Sequence, residues 1–453
     1  MKPAVKRFAT ESTALLRLGA PLIVHNLAHM GMQFTDTVMA GRLSPMDLAA
    51  VALGANLWMV TFLLAMGTVM AVSPTVAQLI GAGRDRAVGN WVRQGLWLAL
   101  FLAAIGWLLL RNGDRLLAAV GIDESVVPLA GDYLSAIAWG LPFLLAYSVL
   151  RFTSEGIGHT RPMLFIAVLA LPLNAFGNWV LMWGNLGAPQ LGAEGCGYAS
   201  AIIMACMFFA LLLYTRLHRV YRPARLFARL DPPSPKRILS LFRLGFPIGI
   251  AIFMEGGLFA ATALLMGRLG AEVVAAHQIA VNFSATLFMV PLGLAMAITA
   301  RVGRAVGRGD PEAARYSGLV GMAVCTGFMG LAALFLIFGR SWIAALYTQD
   351  PAVATLAMSL LIMAAIFQLS DGLQVGAAGA LRGIKDTRIP MFYTVFAYWL
   401  IGFPTALAFS VWFDLGPRWI WAGLIVGLSI AAFALSLRFH RMTSFKPDAL
   451  TKH

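Results

Sequence analysis

Twelve long apolar runs dominate this 453-residue chain and restrict it to one kind of surroundings. Their approximate limits are 14–40, 47–72, 92–110, 126–150, 162–184 and 195–215, then 244–266, 272–300, 316–338, 353–381, 389–411 and 419–437. About 20 apolar residues cross a hydrocarbon core. Backbone polar groups find no water there, so each run must close its hydrogen bonds as a helix. No strand-like alternation competes with them. Charged residues make up 12% of the chain, against about 25% in soluble domains. The 45 Gly and 21 Pro fit membrane helices, where both are commoner than in soluble ones. A water-soluble enzyme, a disulfide scaffold and a disordered chain are excluded. Cys196, Cys206 and Cys325 make neither a disulfide framework nor a zinc cluster. The first residues lead into the first run without an Ala-x-Ala cleavage site, so that run reads as a retained span, not a signal peptide.

Orientation follows from the 34 Lys and Arg residues. With both termini cytoplasmic, only Arg42, Arg111, Arg115, Arg268, Arg340 and Arg418 fall on the outer face. That asymmetry is the positive-inside pattern of an even number of spans. It also accounts for the net charge of +14 without a nucleic-acid partner. Gly81-Ala82-Gly83 and Gly307-Arg308-Gly309 lack the Gly-Lys-Ser/Thr ending of a phosphate loop, so no nucleotide is expected and ATP is not the direct energy source.

The chain is duplicated. Sliding it by 226 positions lays Arg17-Leu18-Gly19-x-Pro21 over Arg243-Leu244-Gly245-x-Pro247, and Gly41-Arg42-Leu43 over Gly267-Arg268-Leu269. Asn56 meets Asn282, Gly67 meets Gly293, and Gly81-x-Gly83 meets Gly307-x-Gly309. Shifted by one more, Gly156-Ile157-x-x-Thr160-Arg161 matches Gly383-Ile384-x-x-Thr387-Arg388. The expected fold is an all-α integral membrane protein of twelve transmembrane helices in two pseudo-symmetric six-helix bundles. One lobe is 1–226 and the other 227–453, joined by a basic cytoplasmic segment at 216–243. Six spans per copy give both the same orientation, as in parallel-repeat transporters.

Of the 20 Asp and Glu residues, three lie well inside predicted spans: Asp36, Glu255 and Asp371. No Lys or Arg is assigned to comparable depth. A carboxylate in hydrocarbon costs at least a few kcal/mol and marks function by default. Without a basic partner it must bind a proton or another cation. Gln33 and Thr37 offer polar atoms near Asp36, and Asn174 and Asn178, four apart, share a helix face two residues beyond Pro172. Asp36 with these two Asn makes one candidate cluster; Glu255 and Asp371 make the other. Glu255 precedes Gly256-Gly257, which allow a close neighbour or local unwinding. Under the shift Glu255 meets His29 and Asp36 meets Thr262, so the copies share a frame but not a chemistry.

The stretch Phe34-Thr35-Asp36-Thr37-Val38-Met39-Ala40-Gly41-Arg42-Leu43 resembles the first-span signature of the multidrug and toxic compound extrusion (MATE) transporters. The repeated Arg-Leu-Gly-x-Pro and the Gly81-Ala82-Gly83-Arg84 turn are similar too. The resemblance covers the whole chain and points to the NorM branch. It implies a V-shaped pair of six-helix bundles in an inner membrane, exporting cationic, often aromatic, drugs in exchange for Na⁺ or H⁺. It assigns the cation site to Glu255 and Asp371, which would hold Na⁺ in a sodium-driven member, with aromatic neighbours such as Phe288. It assigns a proton site to the Asp36 cluster. Sodium-driven members tend to carry Tyr one turn before the span-ten Asp, where this chain has Phe367, so the coupling ion stays open between Na⁺ and H⁺. Gln33, Asn282, Phe288 and Phe367 are the candidates for a substrate cavity.

The expected partners are small cationic molecules and membrane lipid; no cofactor beyond the coupling ion and a monomeric state are expected. His25 and His29 have the spacing of a metal pair but no third ligand, and helix packing is the commoner role. A lipid-linked oligosaccharide flippase is the alternative, but its anionic pyrophosphate calls for basic residues in the cavity. An intramembrane hydrolase using Asp36 and Asp371 would need a Gly-x-Gly-Asp or Gly-x-Ser-Gly motif, which is missing.

Overall fold

A computed structural model describes residues 3–119, 121–229, 231–413 and 415–444. Both chain ends, with Lys2, Lys446 and Lys452 of the orientation argument, lie outside the described residues. Those residues form twelve long helical segments and no strand. They are α1 (Pro3–Leu43), α2 (Pro45–Gly81), α3 (Asp85–Arg111), α4 (Val127–Ile157), α5 (Arg161–Trp183) and α6 (Ala193–Leu217). The second set is α7 (Pro235–Gly267), α8 (Ala271–Gly307), α9 (Pro311–Tyr347), α10 (Pro351–Gly383), α11 (Arg388–Ser410) and α12 (Pro417–Ser444). All but α1 are long and apolar enough to cross a membrane. The middle of α1 carries His25, Asn26, His29, Gln33 and Asp36, which lower its hydropathy but not its 41-residue length. The helices overrun the predicted runs because hydrogen bonding continues into their polar ends.

Proline and a capping side chain set several starts. Pro45, Pro311 and Pro351 occupy first helical positions, where a missing N–H costs nothing. Before them Ser44 Oγ accepts from the Asp47 N–H at 2.9 Å, Asp310 from Ala313 at 2.9 Å and Asp350 from Ala352 at 2.8 Å. Asp47 also ties α6 down, accepting from the Ala193 N–H at 2.8 Å. The offset copies end α4 and α10 alike: Gly158 has φ +77° and its counterpart Lys385 has φ +61°.

The described chain divides into two compact units, Val24–Gly249 and Met1–Ile23 with Ile250–His453. The sequence repeats break at 226/227, so the units exchange the first halves of α1 and α7. Both crossing points, 23/24 and 249/250, are equivalent positions under the 226-residue shift. Glycine makes the exchange possible. In the unit holding α8, a Cβ on Gly293 would lie 2.7 Å from the Ile23 side chain and 2.9 Å from its backbone nitrogen. Gly19 leaves room for Leu294 in the same way, its own Cβ falling 2.9 Å from that side chain. In the other unit, Gly245 abuts the Thr68 backbone and Gly67 abuts Gly249. Gly19 and Gly245, and Gly67 and Gly293, are the pairs that the repeat superimposes. Both copies therefore dock the entering half-helix on the second helix of the opposite repeat, by a backbone approach at Gly67, Gly245 and Gly293 that a side chain would block and by a close fit of Gly19 to the Leu294 side chain.

Each unit has its own anchors. Leu15 of α1 is buried with Leu294, Ile298, Leu381 and Phe439, while Leu258, Leu360, Trp421 and Leu428 form a second apolar core in that unit. In the other unit the segment after α6 is strapped to α3. Arg93 donates to the carbonyls of Arg225 (2.9 Å) and Leu226 (2.8 Å) and to Asp231 (2.7 Å), and Trp97 donates to the Asp231 carbonyl at 3.0 Å. Those hydrogen bonds hold the Asp231 carboxyl below the usual range.

One expectation is corrected. Helix α4 continues past residue 150 to Ile157, and Arg151 and Glu155, placed by hydropathy in a loop, are buried within it. They pair at 3.3 Å, and Arg151 reaches His25 Nε2 at 2.7 Å, with the Tyr147 hydroxyl 3.5 Å from the other ring nitrogen. Two opposite charges one turn apart neutralise each other, so the helix stays buried where a lone charge would end it. His25 is thus a member of this buried network.

Gly245→Ala and Gly293→Ala should each destabilise the protein by about 1–3 kcal/mol, as overpacking does. Gly327→Ala, where a Cβ meets nothing within 4 Å, should be neutral or stabilising by under about 1 kcal/mol. Thermal midpoints of the detergent-solubilised chain read both; equal behaviour of the three would sink the packing argument. Glu155→Ala strands Arg151 and should cost about 3–5 kcal/mol, more than the Arg151→Met, Glu155→Leu double variant, as stability measurements on both will show.

Candidate functional site

The predicted acids fall into two clusters, one in each unit. In the unit spanning Val24–Gly249, Asp36 of α1 is half-buried between α5 and α6. Its carboxylate accepts from Asn178 Nδ2 at 2.6 Å and from Ser200 Oγ at 3.2 Å. Asn174 Nδ2 reaches the same serine at 3.5 Å. The Asn174 and Asn178 side chains, one turn apart on α5, are 2% and 0% exposed. Their Oδ1 atoms have no hydrogen-bond partner among the described residues. Cys196, also on α6, lies close enough to Asp36 to interact with it electrostatically. The cluster predicted from Asp36, Asn174 and Asn178 is therefore assembled, and Ser200 and Cys196 complete it. Small α6 residues bear no sequence signal of this role; their contribution comes from the close packing of α6 at Gly195 and Gly197. Gln33 does not join: its carbonyl accepts from the Thr37 hydroxyl at 3.0 Å and its amide makes no bond to Asp36.

In the other unit, Glu255 of α7 is half-buried and Asp371 of α10 is 3% exposed. The two act on one another electrostatically, and Tyr398 of α11 lies within reach of both charges. Neither acid has a hydrogen bond or an ion pair among the described residues. The charge of Arg382, eleven positions along α10 from Asp371, acts on Glu255. Around Asp371 several buried polar atoms also lack partners: both amide atoms of Gln368, Oε1 of Gln374 and the Tyr398 hydroxyl. Gln368 and Gln374 stand three positions before and after Asp371, on adjoining turns. Buried polar groups are nearly always satisfied, so such a concentration needs an explanation.

Aromatic rings wall this cluster. Phe367, one turn before Asp371, sits edge-on to Phe259 and to Trp421, both at 5.8 Å between centroids. Trp421 donates to His277 Nδ1 at 3.2 Å. Trp399 donates to the Met254 carbonyl at 3.1 Å and lies against Gly257, whose Cβ would come within 3.3 Å of the indole. Gly256-Gly257 thus admits a close neighbour while α7 stays continuous. Helix α11 is wound as a π-helix over Phe396–Gly402, a rare form that recurs at functional sites. That extra residue in the turn carries Tyr398 and Trp399. Hydropathy cannot foresee a π turn, and a lone Tyr in an apolar run gave no warning. Of the remaining cavity candidates, Asn282 on α8 is exposed and Phe288 is half-buried without a ring contact among the described residues; neither joins the acids.

Comparison with known proteins identifies the family. The family model MatE matches residues 21–180 and again 247–407, two segments that begin 226 residues apart. The multidrug resistance protein PmpM of Pseudomonas aeruginosa is 44% identical over 444 residues, covering 96% of this chain and 92% of its own. The multidrug resistance protein NorM of Vibrio vulnificus is 41% identical over 438 residues, 96% of each chain. Among solved structures, a eukaryotic MATE transporter, AtDTX14, superposes with a TM-score of 0.87 at 20% identity, covering 98% of this chain and 99% of its own. A MATE in complex with MaL6 does so with 0.88 at 22%, covering 98% of both. These two show the fold alone. The family match to both repeats, with relatives of this identity along almost the whole chain, carries the assignment: the chain belongs to the MatE family of multi-pass membrane transporters.

Proposed function

We propose that this protein is a secondary antiporter that exports cationic, lipophilic or aromatic compounds across a bacterial inner membrane in exchange for Na⁺ or H⁺. The observation that supports this most is the state of its three intramembrane acids. Asp36, Glu255 and Asp371 make no ion pair among the described residues, and buried amide and hydroxyl oxygens beside them lack donors. An acid so placed takes up a positive guest. Asp371, Gln368, Gln374 and Tyr398 present oxygen donors suited to a hard cation, and a proton on the carboxylate would serve the same end. Phe367, Trp399 and Trp421 add ring faces and edges that favour an organic cation.

Exchange then follows from competition. The lipophilic cation is attracted by the carboxylates; an incoming ion neutralises them and weakens its hold. Movement of the two units between two arrangements supplies access to each side, and each guest biases that equilibrium by its differential affinity. Tyr398 restores the hydroxyl that Phe367 lacks, so the substitution at position 367 does not remove sodium as a coupling ion. The flippase reading is not favoured: Arg151, a buried guanidinium, is engaged by Glu155 and His25, and an anionic pyrophosphate would face unpaired carboxylates.

Asp371→Asn and Glu255→Gln should each abolish ethidium efflux from energised cells at unchanged membrane expression; normal efflux in both would refute the reading. Asp36→Asn should keep the bond from Asn178, and hence the fold, while losing gradient-driven export in proteoliposomes. Imposed Na⁺ and pH gradients separate the coupling ions there. Under sodium coupling Tyr398→Phe should raise the Na⁺ concentration needed for half-maximal exchange about tenfold. Under proton coupling the same change should leave the pH-driven rate within about twofold of wild type.

A further inference from the structure

The unit that contains α8 and α9 has a cavity of about 460 Å³ away from the acids. The first turns of α1 close it with Lys6, Arg7 and Glu11, the C-terminal part of α8 with Arg301, the residue capping α8 with Arg308, and α9 with Tyr316 and Ser317. Four cations face one anion. Glu11 is taken: Arg301 grips it with Nε to Oε1 at 2.6 Å and Nη2 to Oε2 at 2.5 Å, and Ser317 donates to it at 2.7 Å. Burial would raise its carboxyl, but the Arg301 and Ser317 hydrogen bonds and the Arg301 and Arg308 charges hold it below the usual range. Glu11 therefore stays ionised and fully engaged. Arg7 lies 4.3 Å over the Tyr316 ring and 3.5 Å from the exposed Glu312. The Lys6 and Arg308 side chains make no hydrogen bond or ion pair among the described residues.

A pocket lined by an excess of like charges is stabilised by an anion, and two arginines with a lysine suit the oxygens of a phosphate. Basic pockets between spanning helices hold anionic headgroups. We propose that this cavity binds a phosphate group, carried by an anionic phospholipid or as the free ion.

The test uses the full chain, delipidated in detergent, with thermal midpoint as the readout. Dioleoyl phosphatidylglycerol, dioleoyl phosphatidylcholine and inorganic phosphate are the probes. Phosphatidylglycerol should raise the midpoint more than phosphatidylcholine does. The Lys6→Gln, Arg308→Gln double variant, which alters exposed and unpaired side chains, should start from the same midpoint and lose at least half of that rise. Arg219→Gln, Arg222→Gln, an equal loss of charge on the segment after α6, should retain it. A rise with inorganic phosphate as well assigns recognition to the phosphate itself; a rise with phosphatidylglycerol alone assigns it to the lipid. No rise with either probe, an equal rise in the Lys6/Arg308 variant, or an equal loss in the Arg219/Arg222 variant overturns the proposal.

Discussion

Hydrocarbon offers a polar atom no solvent partner, and that single constraint shapes this chain at every level. It forces the backbone into helices. It keeps Arg151 within a buried helix through Glu155 and His25, because a buried charge is tolerated when its partner is one turn away. It also makes the exceptions conspicuous. Thr262 satisfies its hydroxyl by donating to the Leu258 carbonyl at 2.8 Å, the usual solution for a hydroxyl in a helix. Asp371, Gln368, Gln374 and Tyr398 do not reach such a solution, and they stand together. The site is the place where the fold leaves the rule unmet.

The spans, the caps and the duplication were readable because each rests on a local pattern. Apolar length marks a span, Ser44-Pro45 and Asp310-Pro311 mark helix starts, and the 226-residue offset needs no structure to be seen. The acids were readable too, since a carboxylate in an apolar run contradicts its surroundings. What escaped notice depends on contacts distant in sequence or on backbone winding. Arg151 looked like the end of a span because hydropathy weighs each charge alone and cannot credit its pairing with Glu155. Tyr398 looked like any aromatic residue in an apolar run, and the π turn in which it stands has no signature in the sequence. The exchange of half-helices was hidden in plain view: Gly19, Gly67, Gly245 and Gly293 were visible as repeat matches, but their role as paired backbone contacts required coordinates.

The two kinds of conserved frame and divergent chemistry have a common explanation within the molecule. Positions that touch backbone cannot change in one copy without repacking a helix. Gly19 and Gly245, and Gly67 and Gly293, therefore remain identical between repeats. Asp36, Glu255 and Asp371 are not packing residues of this kind. Their repeat counterparts are Thr262, His29 and, at the offset of 227 that aligns α4 with α10, Leu144, so one copy carries an acid where the other carries a small hydroxyl, an imidazole or an aliphatic group. Close backbone contact fixes where helices cross, and the side chains in the space they leave remain free to diverge. A duplicated frame can in this way hold two unlike acidic clusters: one Asp36 hydrogen-bonded by Asn178 and Ser200 with Asn174 alongside, the other an acid pair walled by aromatic rings. The first has amides and a hydroxyl close about a single carboxylate, which suits a small ion. The second has two carboxylates with Phe367, Trp399 and Trp421 nearby, which suits a large organic one as well. Two unlike acidic clusters are what the proposed exchange calls for, one able to favour the driving ion and the other the cargo, which two identical copies would not be.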